Sequence, residues 1–143
     1  MRVSSTACEP DSTASVHVPH EQASVARVRR RMAADLAAAR VAVQDADDAL
    51  LILSEVITNA VRHARPLAAG SLRVSWTISP THIGVSVTDG GSSTAPVATA
   101  AAMSAVGGRG LHIVDLLASS WDVTRDDEGT TVWAVISRTA MAR

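Results

Sequence analysis

Residues 54–64 read SEVITNAVRHA, and the spacing within them governs the rest of the chain. Glu55, Asn59 and His63 recur at every fourth position, so on a helix turning about 100° per residue all three lie along one flank. Asn59 is the only asparagine among 143 residues, in a chain with no Lys, Phe or Tyr whose thirteen basic residues are all Arg. A carboxylate, an amide and an imidazole in one row suit a site for a nucleotide and a metal ion. The same row is also the polar edge of an ordinary amphipathic helix, and on this stretch alone the two readings stand level.

Working outward, Asp45 and Asp48 open the helix, and Arg65 and Pro66 end it after about Ala64. Leu50, Leu53, Val56, Ile57, Ala60, Val61 and Ala64 make one broad apolar face. Glu55, Asn59 and His63 fall on its border, with Ile52 projecting among them. Polar groups on such a border are half-buried and need partners.

Downstream, SLRVSWTIS (71–79) and HIGVSVTD (82–89) alternate apolar and polar residues. They predict two half-buried strands joined by a turn at Pro80 and Thr81, an antiparallel hairpin. The period of two puts Asp89 in phase with Ile83, Val85 and Val87, so its carboxylate points to the apolar side at the strand's end. An inward carboxylate needs a donor. It can cap its own turn before Gly90 and Gly91, or it can accept a hydrogen bond from an exocyclic amine such as that of adenine.

Residues 90–107, GGSSTAPVATAAAMSAVG, are small and weakly patterned over a length unusual for a connection, as lids or disordered segments are. GGRGLHIVDLLASS then starts a third helix at about Gly110, with a buried stripe from Leu111, Val114, Leu117 and Ala118. Gly107, Gly108 and Gly110 would let a ligand approach the backbone, the helix amino terminus would present free N–H groups to phosphate, and Arg109 adds a cation. Glycines before a helix also serve plain tight turns. The stretch is neither a Gly-Lys-Ser/Thr phosphate loop nor a dinucleotide fingerprint, whose third glycine is replaced by Ile113. WDVTRDDEGTTVWAVIS (121–137) reads as a closing hairpin about Asp127, Glu128 and Gly129, with Val132, Ala134 and Ile136 on one face.

Upstream, residues 1–14 are polar and without periodicity, a disordered arm, which makes Cys8 incidental. SVHVP (15–19) fits a short strand, and Val25, Val28, Met32, Leu36 and Ala39 mark a helix from about His20 to about Val41. Arg29, Arg30 and Arg31 within it read as a solvated face. With 47% apolar residues, the chain suits one compact domain over 15–143. A net charge of -1 supplies no drive toward nucleic acid or membrane. A lone cysteine, no signal-like apolar start and no membrane-length run make the cytoplasm the expected compartment.

In order and spacing these pieces resemble the ATP-binding domain shared by gyrase, Hsp90, histidine kinases and MutL (the GHKL or Bergerat fold), and above all the compact bacterial anti-sigma factor serine/threonine kinases and their actinomycete relatives. SEVITNAVRHA looks like the family's N box, VTDGG its G1 box, GGRGLHIV its G2 box and GTTVWAVI its closing strand, over roughly residues 15 to 137. The resemblance implies an α+β two-layer sandwich, its sheet mixed and mostly antiparallel with the helices on one face, in the order strand, helix, helix, two strands, lid, helix, two strands.

It also implies ATP and Mg²⁺. Asn59 would coordinate the metal, Glu55 would act as base or orienter, Asp89 would bind the adenine amine, and Gly91 would admit the base. Gly108, Arg109 and Gly110 would cradle phosphate, with His63, Leu111 and Thr131 completing the nucleotide site. The implied activity is phosphorylation of a Ser or Thr on an antagonist protein coupled to sequestration of a sigma factor. A catalytically silent ATP-gated binding module is the alternative. Homodimers that pair through the sheet edge near the amino terminus are implied by the same resemblance. Ser93 departs from the G1 pattern where a second glycine is common, and the chain is too short upstream for the phosphoacceptor hairpin of a complete sensor kinase.

Overall fold

A computed structural model describes residues 12–91 and 111–139. Along them run β1 (Ser12–Pro19), α1 (Ala23–Ala38), α2 (Val43–His63), a 3-10 turn (Ala68–Gly70), β2 (Ser71–Ile78), β3 (His82–Asp89), α3 (His112–Leu117), β4 (Ser120–Asp126) and β5 (Gly129–Ser137). One five-stranded sheet has the order β1-β2-β3-β5-β4, and each neighbouring pair is antiparallel. The expected element order and α+β class hold, and the described sheet contains no parallel pair.

Alternation makes the sheet two-faced. Leu72, Val74, Trp76 and Ile78 of β2 are buried, as are Ile83, Val85 and Val87 of β3, Val132, Ala134 and Ile136 of β5, and Trp121 and Val123 of β4. They join Val28, Met32 and Leu36 of α1 and Ile52, Leu53, Val56 and Ile57 of α2 in one core. Each fully buried aliphatic or aromatic side chain stabilises the fold by roughly 1.5–3 kcal/mol, so these apolar positions dominate the energetics. Buried indole N–H groups need acceptors, and Trp76 donates to Asp35 on α1 (2.8 Å) while Trp121 donates to Asp115 on α3 (3.0 Å).

Element ends differ from the sequence expectations for local reasons. β1 begins at Ser12, inside the segment read as an arm, because β2 is long enough to pair with it from Ser12↔Ile78 to Pro19↔Ser71. Residues 1–11 lie outside the described residues. α1 starts at Ala23, which leaves His20 outside the helix, and α2 starts at Val43 rather than Asp45. The buried side of α2 is also turned from the expected face: Ile52 and Asn59 are inside, while Leu50 and Val61 are only half-buried. α2 touches α1 and α3 as well as β3 and β5, so more than one face is covered. The long loop read as a lid falls largely in 92–110, outside the described residues.

Candidate functional site

Asn59 is 7% exposed, and its Oδ1 is a buried acceptor with no hydrogen-bond partner among the described residues. Leaving such an atom unsatisfied costs about 1–3 kcal/mol, so the fold carries a penalty here that a bound cation or donor would relieve. Glu55, one turn earlier, is half-buried and makes no hydrogen bond or ion pair among the described residues, so its carboxylate is uncommitted. His63, one turn later, is exposed at the helix end. The row thus grades from half-buried Glu55 through buried Asn59 to exposed His63.

Asp89 ends β3 with its side chain 6% exposed on the apolar side, as its phase requires. Its Oδ1 accepts the Gly91 amide at 2.7 Å, so part of its role is capping its own turn. Backbone from two other segments approaches this turn closely. Arg65, just past α2, donates its amide to the Gly91 carbonyl (2.8 Å) and accepts the Gly90 amide (2.7 Å). At the first residue of β5, a Cβ on Gly129 would lie 1.9 Å from the Asp89 carbonyl oxygen, and one on Gly90 would lie 2.2 Å from that of Pro66. Only glycine fits at either position, so the close approach of three chain segments depends on both.

Thr131 does not join this group. It pairs with Thr88, and their hydroxyls share a 2.7 Å hydrogen bond on the face away from the helices. Its predecessor Thr130 pairs with Asp89, and its Oγ1 is 3.8 Å from where a Gly91 Cβ would stand. The residue beside the carboxylate is therefore Thr130, which alternation from the buried Val132 could have identified: positions 130, 132, 134 and 136 share one side. Leu111 is buried at the start of α3, which packs against α2. Gly108, Arg109 and Gly110 lie outside the described residues.

Among the described residues no group of three or more His, Cys, Asp or Glu could hold a metal ion. A lone amide oxygen nevertheless fits Mg²⁺, which takes oxygen ligands, retains waters and is commonly completed by phosphates rather than by a protein cage. The orphaned Asn59 Oδ1 is such an oxygen. No helix among the described residues is long and apolar enough to cross a membrane.

Comparison with known proteins bears on the family and the fold. The family model of the histidine kinase-like ATPase domain matches residues 18–136. A crystal structure of the RsbU and RsbW domains of Rv1364c from Mycobacterium tuberculosis superposes with a TM-score of 0.69 at 21% identity, over 92% of this chain. This chain spans 34% of that protein's solved chain. No curated protein matches by sequence. The chain belongs to the histidine kinase-like ATPase domain family, in which ATP is the implied ligand.

Proposed function

We propose that the protein is an ATP- and Mg²⁺-dependent serine/threonine kinase of the anti-sigma factor type, which phosphorylates a small antagonist protein and sequesters a sigma factor. The observation that carries this reading is the orphaned Asn59 Oδ1 one helical turn from the uncommitted Glu55, in a chain whose family implies ATP. The crystal structure it resembles pairs an RsbW domain with an RsbU domain in one chain, which supports a regulatory setting.

In the proposed reaction the acceptor hydroxyl oxygen bonds to the γ-phosphorus of ATP as the bond to the β,γ-bridging oxygen breaks, and ADP leaves. Glu55 takes or orients the hydroxyl proton. Asp89 would accept from the adenine amine, and Asn59 Oδ1 would hold Mg²⁺. Bound there, the metal would neutralise phosphate charge, which is most of what phosphoryl transfer asks of a protein. His63 stands at the outer end of the same row, and residues 108–110 are proposed to contact phosphate.

The test is transfer of labelled γ-phosphate to candidate antagonist proteins by the wild type and by Glu55→Gln. Transfer that falls roughly a hundredfold or more in the variant supports the kinase. Transfer equal in both removes Glu55 from the mechanism. Tight Mg²⁺-dependent ATP binding that governs partner capture without any transfer would instead identify a nucleotide-gated binding module.

A further inference from the structure

α2 ends without the usual stop. Ala64 follows it in extended conformation (φ -126, ψ 160) where a glycine in the left-handed region commonly closes a helix; its amide still donates to the Ala60 carbonyl at 3.1 Å, and the carbonyls beyond Ala60 must find donors outside the helix. One donor comes from a distant part of the chain. His20, in the link between β1 and α1, places Nε2 at 3.0 Å from the Ala60 carbonyl and 2.9 Å from that of Ala64. Both partners are acceptors, so Nε2 carries the proton and donates to both. Its own backbone is tethered, because the His20 amide donates to the Gly70 carbonyl at 2.9 Å. Gln22 adds a 3.3 Å contact from its side-chain amide to the Thr58 hydroxyl.

These contacts lie at the junction between the two halves of the site. Ala60 follows Asn59 directly, and Ala64 precedes Arg65, whose amide and carbonyl bind Gly91 and Gly90 beside Asp89. The end of α2 therefore sets both where Asn59 stands and where the Asp89 turn stands. We propose that His20 is a positioning residue of the nucleotide site: it clamps the carboxyl end of α2 from outside and so holds Asn59 and the Asp89 turn in register. The inference rests on the reading of this site as nucleotide-binding. His20 contributes no atom to the ligand in it.

The test uses the full chain and two readouts, amide hydrogen exchange at Arg65 and Gly90 without nucleotide, and Mg²⁺-ATP affinity by calorimetry. His20→Phe keeps the ring and removes the donor, and His20→Gln keeps a donor. Thr139→Ala is the control, since it removes a hydroxyl bonded to Asp45 at the far end of α2 (3.0 Å).

Loss of the clamp should speed exchange at Arg65 and Gly90 and weaken ATP binding in His20→Phe, each by roughly tenfold. His20→Gln should recover part of both, and Thr139→Ala neither. Exchange in His20→Phe equal to wild type overturns the clamp, and faster exchange with unchanged ATP affinity overturns its reach into the site. If His20→Phe does not fold, His20→Ala takes its place with the same criteria. If the wild type binds no ATP, the kinase reading falls while the exchange data still decide whether His20 holds the Asp89 turn.

Discussion

At the residue scale, function and stability oppose each other at Asn59. An acceptor buried without a partner lowers stability, so removing it is predicted to be harmless to the fold and ruinous to binding. Asn59→Ala should change unfolding free energy by no more than about 1 kcal/mol in either direction, since the lost packing and the relieved acceptor offset each other. The same substitution should abolish Mg²⁺-dependent ATP binding. Urea unfolding and titration calorimetry on one preparation check both, and a variant that binds ATP as the wild type does would remove Asn59 from the site.

Asp89 differs, because its Oδ1 also supports the turn to Gly91. Asp89→Asn keeps an acceptor for that turn and should retain the fold while losing ATP affinity. Asp89→Ala should lose both, with about 1–3 kcal/mol of stability. The contrast in melting temperature between the two separates the turn's contribution from the ligand's.

At the element scale, chain connections show where local chemistry and tertiary demand disagree. Arg40 follows α1 at φ 58, where the Val41 amide reaches back to the Leu36 carbonyl at 3.1 Å. That is a left-handed helix stop, occupied by a residue with a Cβ. Arg40→Gly should raise stability by roughly 0.5–1 kcal/mol, read as a higher denaturant midpoint at unchanged slope. Gly129→Ala should do the opposite. A Cβ 1.9 Å from the Asp89 carbonyl forces β3 and β5 apart at the site, so a loss above about 2 kcal/mol, with weakened ATP binding, is expected. A melting point equal to wild type would show that the strands can separate there at little cost.

At the scale of the whole molecule, distant contacts close the fold. Asp45 in the first turn of α2 is 4% exposed and accepts both the amide (2.8 Å) and the hydroxyl (3.0 Å) of Thr139, beyond the last strand. Asp45→Ala leaves both donors of Thr139 without that acceptor and should cost about 1–3 kcal/mol, seen as a lower melting temperature. Thr139→Ala should cost less, because the backbone amide still reaches the carboxylate.

Much of this molecule was legible without coordinates, because alternation and helical spacing are local properties. The phase of β3 placed Asp89 on the buried side, and the spacing of Glu55, Asn59 and His63 placed them in one row. What that row does was less legible: its three members differ in burial, and only the packing of α1, α3 and the sheet against α2 sets that. Thr130, not the expected Thr131, pairs with Asp89, and a shift of one residue moves a side chain to the opposite face of a strand.

The chain by itself determined the class of fold, the family motifs and the chemical types available for a nucleotide, since these follow from periodicity and from which side chains exist. Tertiary structure alone decided that Asn59 Oδ1 is orphaned, that Gly90 and Gly129 admit neighbouring carbonyls, and that His20 caps a helix forty residues or more away. The physical reason is range. Periodicity is written within a few residues, whereas satisfaction, steric clearance and capping depend on atoms that only folding brings within hydrogen-bond distance.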